Sequence, residues 1–301
     1  MQVITRASVM KYRCTLNRQL LLPWYLAFLT TLPPFAANTM AAEPIRVVAT
    51  EAALAHFGFS SHAGFEEAVT ALFRGAGVSA GISVFEDSRQ LRTEFLPGNA
   101  DLVFCTSLDY FELQSGVDRA SMYTLNHAKS PHTRYAILSN KNNKIRDLGD
   151  IINKDITLSV EPRLGSMILY QHLQNVRVPR GQKLFGSVSR VAGGQQAIRN
   201  LIAGRTDVVL VPLMDYFEVL KRDGEGGGSV NLVLESQGYV AGLVLMHRDL
   251  DETKAGKLNR QLASMAEFAP GRSALEHFQA RHAVRVMPAD LRSLEQLVAL
   301  R

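Results

Sequence analysis

The segment DLVFCTSLDYFEL at residues 101–113 returns 106 positions later as DVVLVPLMDYFEV at residues 207–219. Six of the thirteen positions are identical, including the run Asp-Tyr-Phe-Glu. Solenoid repeats have periods of roughly 20–50 residues, so this spacing is too long for one; it is the length of a domain half. Both copies open on an aspartate that follows a turn, Gly98-Asn99-Ala100 in one and Gly204-Arg205-Thr206 in the other. An apolar run then reads as a buried strand, and Tyr-Phe-Glu begins the next helix. The repetition predicts two similar α/β lobes.

The rest of the chain fits that reading. Residues 45–50, 81–85 and 100–105 read as strands, the third with the apolar run LVFC that strands buried on both faces tend to carry. Between them, residues 62–76 carry Phe65, Ala68, Val69, Leu72 and Phe73 at helical spacing, and Asp87 or Ser88 caps a second helix. Strand–helix alternation implies a parallel sheet with helices on its faces. The order restarts at residue 135, with strands at 135–139, 156–160, 187–191 and 207–211 and helices at about 165–176 and 195–203. Further strands lie at 230–234 and 241–246, and helices at 252–268, 272–282 and from 288 onward. We expect residues 43–134 to form the first part of lobe 1, residues 135–234 to form lobe 2, and residues 235–301 to complete lobe 1 and carry C-terminal helices. Two Rossmann-like lobes joined by a hinge leave a ligand cleft between them, and open parallel sheets bind ligands beyond the carboxyl ends of their strands. Those ends are Thr106-Ser107, residues 163–166 and Pro212.

Residues 1–42 have a different character. Arg6, Lys11, Arg13 and Arg18 are their only charges, residues 20–32 are apolar, and small residues follow. This is the pattern of a cleaved secretory leader, and the apolar stretch is short of the roughly 20 residues of a membrane span. Cleavage is expected after Ala41 or Ala42. The whole chain holds 33 Lys+Arg against 28 Asp+Glu, and without the leader the excess falls to one. No basic run tracks a phosphate backbone, so a nucleic-acid partner is not expected. Cys105 is then the lone thiol, within an apolar strand, and reads as a small buried hydrophobe. The eight histidines show no paired-ligand spacing, so neither a metal nor a cofactor is expected.

At this level of detail the chain resembles the type II periplasmic substrate-binding proteins, and more narrowly the phosphate/phosphite/phosphonate-binding proteins of ABC transporters. The likeness rests on the order of several motifs. NADLVFCTSLDY carries an acidic residue before a strand, Asp101, and an aromatic after it, Tyr110. Tyr135, Leu148 and Pro162 fit the entry into the second lobe, and LESQGYVAGLVLMHRDLD fits the return to the first. The resemblance implies capture of a small anionic solute, phosphonate-like or a related oxyanion, by a periplasmic monomer that serves a membrane permease or a sensor protein. An enzyme on the same scaffold is the alternative. The family usually offers a Ser/Thr-rich turn at a helix N-terminus to hold the oxyanion, whereas this chain writes EPRLGSMILY. Ser166 remains and Arg163 is added, so a carboxylate paired by the arginine fork is an alternative ligand. The candidate ligand-binding residues are Thr106, Ser107, Tyr110, Arg163 and Ser166. Thr106 and Ser107 either donate to ligand or cap their helix, Tyr110 either lines the cleft or packs between helices, and Arg163 either faces the cleft or is solvated.

Overall fold

The computed structural model describes residues 43–74, 78–178, 183–191, 193–222 and 226–300; the expected leader lies outside the described residues. The chain runs through β1 (Ile45–Thr50), α1 (Glu51–His56), α2 (His62–Arg74), β2 (Ala80–Phe85), α3 (Ser88–Phe95), β3 (Leu102–Thr106), α4 (Ser107–Leu113), β4 (Val117–Asn126) and β5 (Tyr135–Asn140). It continues with β6 (Ile156–Leu158), α5 (Pro162–Leu173), β7 (Val188–Arg190), α6 (Gly194–Ile202), β8 (Val208–Pro212), α7 (Leu213–Arg222) and β9 (Val230–Glu235). It closes with β10 (Gly242–His247), α8 (Glu252–Ala263), α9 (Ala269–His277), β11 (His282–Arg285) and α10 (Arg292–Ala299).

These strands form two sheets, with the orders β11-β4-β10-β3-β1-β2 and β7-β6-β8-β5-β9. The repeated segment occupies the same place in each. β3 lies between parallel β1 and antiparallel β10, and β8 lies between parallel β6 and antiparallel β5. The opening aspartates also act alike. Asp101 Oδ2 accepts the Arg46 N–H of the neighbouring parallel strand at 2.9 Å. Asp207 Oδ2 accepts the Asp155 N–H, just ahead of β6, at 3.1 Å. Each carboxylate pins the start of a parallel pair.

Alternate residues of each central strand enter different cores, as the period of two requires. Leu102 and Phe104 face α2 and α9, where Phe104 stacks on Phe278 at 5.4 Å. Val103 and Cys105 face α3 and α4. In the second sheet Val208 and Leu210 face α5, and Val209 and Val211 face α6. Burial on both faces explains why these strands read as unbroken apolar runs.

Several elements differ from the sequence reading, which has no counterpart of α1 and runs one helix over residues 252–268 where α8 ends at Ala263. β4, ten residues long, is missing from it because Asp118, Arg119 and Ala120 interrupt its apolar character before the buried Ser121–Thr124 stretch. The helix expected at 272–282 ends at His277; Gln279 turns left-handed with φ 49°, and β11 pairs with β4. The helix expected from residue 165 starts at Pro162, because Glu161 caps it. The closing segment returns to the first sheet through β10 and β11, but α10 leaves it, burying Leu294 and Leu297 with Leu164, Ile168 and Leu169 of α5. Two connections join the sheets, and they pair with each other: Thr133 and Tyr239 exchange N–H···O bonds of 2.8 and 3.0 Å.

Candidate functional site

The carboxyl ends of β1 and β3 run directly into α1 and α4, and residues 159–161 lead from β6 into α5. At α4, Thr106 is the N-cap and forms a reciprocal pair with Asp109. The Thr106 N–H and hydroxyl donate to Asp109 Oδ2 at 3.0 and 2.7 Å, and the Asp109 N–H returns to Thr106 Oγ1 at 3.3 Å. Ser88 Oγ donates to the other oxygen, Oδ1, at 2.5 Å. Asp109 is thus a buried carboxylate with donors on both oxygens. Ser107 is fully buried; its N–H reaches the Ala241 carbonyl at 3.0 Å, and its hydroxyl has no partner among the described residues. Buried polar groups are rarely left so.

At α5, Pro162 fills the first position and Glu161 the N-cap. The Glu161 carboxylate accepts the Arg163 N–H at 3.0 Å and the Leu164 N–H at 2.7 Å, and the residue is only 5% exposed. Arg163 then projects from the second sheet towards the first, its Nη1 4.0 Å from Asp109 Oδ1, with 47% of the side chain exposed. This is the one pair among the predicted residues and their partners where charges from the two sheets meet. Ser166, one turn on, lines a groove of about 630 Å³ against Leu297 and Leu300 and does not approach Thr106 or Ser107. Tyr110 lies in the core with Leu113 and Val240, edge-on to Phe111 at 5.5 Å.

Beside these helix ends lies a cavity of about 460 Å³. Leu54, Phe59 and His62 of the first lobe line one wall, and Arg190 and Val191 the other. His62 Nε2 lies 3.6 Å from Glu51 Oε1, which lines the same cavity. Arg190 is exposed and has no carboxylate partner among the described residues. Its field reaches His56, which packs against Gly242. Burial first, and then the Arg190 charge, push the His56 pKa down to about 4, so this imidazole is neutral at neutral pH.

Asp215, the counterpart of Asp109 in the repeat, lies against Gly194 at the start of α6; burial and then Glu218 raise its pKa. Cys105 is wholly buried, and burial followed by the Asp109 charge raises its pKa well above the usual thiol value. A protonated, enclosed thiol is not a nucleophile. Among the described residues no group of three His, Cys, Asp or Glu side chains is placed to hold a metal ion.

Sequence reasoning missed Asp109, Glu161, His56 and Arg190. Two of these had a visible signal. Thr-x-x-Asp at 106–109 is a capping-box pattern, and an acidic residue directly before Pro162 marks an N-cap. Nothing local marked His56 or Arg190, which meet only through the tertiary fold.

The sequence profile of a family described as the phosphonate ABC transporter's periplasmic substrate-binding protein matches residues 60–291. No curated protein sequence matches the chain. Among solved structures, PhnD1 from Prochlorococcus marinus (MIT 9301), in complex with methylphosphonate, superposes with a TM-score of 0.60 at 14% identity, covering 85% of this chain and 97% of that one. A Xanthomonas citri protein bound to ATP gives 0.59 at 14% identity, covering 85% and 96%. The binding component of an ABC phosphonate transporter from Pseudomonas aeruginosa gives 0.57 at 13% identity, covering 85% and 86%. At these identities the structures share a fold, the type II periplasmic binding fold, and the profile carries the rest. The chain belongs to the periplasmic substrate-binding protein family of phosphonate ABC transporters.

Proposed function

We propose that this protein captures a small anionic solute between its two lobes and presents it to the permease of an ABC transporter, after export to the periplasm and removal of a leader ending at Ala41 or Ala42. The observation that carries the reading is Arg163. It stands on the first turn of the second lobe's helix, half exposed, 4.0 Å from a buried carboxylate of the first lobe. A ligand shifts the open–closed equilibrium only by its preference for one state, and an anion beside Arg163 meets the other lobe only when the lobes are closed. Arg190, across the neighbouring cavity, adds a second positive charge from the same lobe. Ser107 offers the first lobe's contribution, a buried hydroxyl without a partner among the described residues. The buried Cys105 supports binding over covalent catalysis.

A thermal-shift screen over phosphate, phosphite, phosphonates, sulfonates and carboxylates identifies the ligand, because binding to the folded state alone stabilises it. Calorimetry on Arg163→Ala then tests the reading. Loss of a charged hydrogen bond costs roughly 1.5–3 kcal/mol, about tenfold to a hundredfold in affinity. Unchanged affinity would make Arg163 a surface residue. Sequencing the N-terminus of the exported protein checks the leader, and an intact Met1 would refute cleavage.

A further inference from the structure

The last residues of the chain leave the first lobe and end on the second. Val286 is buried in the first lobe, and its N–H bonds the Met122 carbonyl of β4 at 2.9 Å. Leu291 belongs to the same core, with Val103, Cys105 and Leu245. Three residues on, Leu294 is buried with Leu164, Ile168 and Leu169 of α5, and Leu297 follows it there. The change of core falls within one helical turn. The same segment grips both connections between the sheets. His132 Nε2 bonds the Asp290 carbonyl at 3.0 Å; the acceptor is a carbonyl, so the ring nitrogen is the donor. Ser293 Oγ donates to the Gly238 carbonyl at 2.9 Å. These two partners stand one residue before Thr133 and Tyr239, whose mutual bonds tie the connections together. The crossing is tight, since a Cβ at Gly238 would sit 2.7 Å from His132 Cβ. Three crossings of the chain are therefore bundled at one place.

We infer that residues 291–293 are a third hinge strand and that α10 is carried by the second lobe, so that the C-terminal segment straps the lobes and confines their swing. This rests on the solute-capture reading and adds how the lobes move. In hinge closure a few residues at element ends absorb the backbone change, while packed cores hold their shape. Here the element end is the start of α10, and the cores are those of Leu291 on one side and Leu294 on the other. Leu108 and Phe111 of α4 border the second core from the first lobe; they are the surface over which α10 slides. Because α10 is packed on α5, it moves together with Arg163, which stands on the first turn of that helix.

The test is distance measurement between pairs of spin labels by pulsed electron paramagnetic resonance on the exported protein. Cys105 is enclosed, so labels attach to thiols introduced at three exposed positions: Glu66 of α2, Gln196 of α6 and Gln296 of α10. The pair Glu66→Cys/Gln196→Cys spans the lobes and reports closure when methylphosphonate, inorganic phosphate or another anion of the thermal-shift screen is added. With that anion the Gln196→Cys/Gln296→Cys distance should stay fixed, and the Glu66→Cys/Gln296→Cys distance should change along with the lobe-to-lobe pair. A fixed Glu66–Gln296 distance, or a change in both pairs that include Gln296, overturns the assignment while leaving solute capture intact. A lobe-to-lobe distance that no anion of the screen alters removes closure and the strap together. Without anion, loosening the strap should broaden the lobe-to-lobe distance distribution. Leu294→Ala weakens the hold on the second core, and Ser293→Ala removes the bond to Gly238 while leaving both cores intact; circular dichroism confirms that each is folded. A distribution that neither variant broadens overturns the restraint.

Discussion

The two aspartates that open the repeated segment make the same backbone bond, yet their surroundings predict unequal energies. Asp101 is 3% exposed and accepts the Arg46 N–H at 2.9 Å, the Arg46 guanidinium at 2.9 Å and the Lys254 ammonium at 3.1 Å. Alanine there leaves a backbone donor unsatisfied, worth about 1–3 kcal/mol. The cations keep partial access to water, with 51% of the Arg46 and 22% of the Lys254 side chain exposed. Their losses are therefore those of surface pairs, about 0–1 kcal/mol each, and the sum for Asp101→Ala is about 3 kcal/mol. Asp207 is half-buried and accepts only neutral donors, the Asp155 N–H at 3.1 Å and Asn143 Nδ2 at 3.3 Å. Asp207→Ala should cost about 1 kcal/mol. Urea unfolding followed by far-ultraviolet circular dichroism measures both as shifts in midpoint. The acid limb adds a signature. Burial alone would raise the Asp101 pKa, but the bonds from Arg46 and Lys254 outweigh it and hold the pKa below its usual 3.8. A carboxyl more acidic folded than unfolded contributes fully above the unfolded value and loses its contribution as pH falls through the folded one. The gap between wild type and Asp101→Ala should therefore narrow in strong acid, where the neutral carboxyl keeps the backbone bond and loses the ion pairs. Equal costs for the two alanine variants, or a gap that does not narrow in strong acid, would refute the reasoning.

Three further outcomes are expected. His56 titrates near 4 when folded, against 6.5 when exposed, so the unfolded chain takes up its proton first and stability should fall as pH drops from 6.5 towards 4, by about 2–3 kcal/mol at most; the slope should flatten in His56→Gln, and a slope unchanged in that variant counts against it. A Cβ at Gly194 would sit 2.1 Å from Asp215 Oδ2, so Gly194→Ala should destabilise by about 1–3 kcal/mol, and Gly194→Ala/Asp215→Ala should recover part of that loss in a thermal melt. Cys105 should resist iodoacetamide in the native protein and react once urea unfolds it, because its thiol is both enclosed and held protonated; rapid native labelling would contradict its placement.

The two-lobe architecture was legible because buried parallel strands are apolar on both faces, and because one strand–helix corner is written twice. β4 was hidden by its own geometry: its polar opening residues break the apolar pattern, and its pairing with β10 and β11 is remote in sequence. The site was less legible for a related reason. Thr106 looked like a ligand donor because a hydroxyl at a helix start serves a ligand or a cap equally well, and only Asp109 decides between them. Ser166 follows Arg163 on the same helix face, and both line the groove against Leu297 and Leu300; Arg163 also comes within 4.0 Å of Asp109 because its side chain is long. Arg190 and His56 belong to different lobes, and no spacing in the chain relates them.

The docking of α10 on α5 sets the order in which this chain can be completed. Residues 292–299 finish a core begun by residues 162–173, while β10 and β11 finish the sheet begun by β1 and β3. Neither lobe closes its hydrophobic interior until the last segment has emerged. Pairings so distant in sequence slow folding, because the entropy of closing long loops is lost before the contacts form.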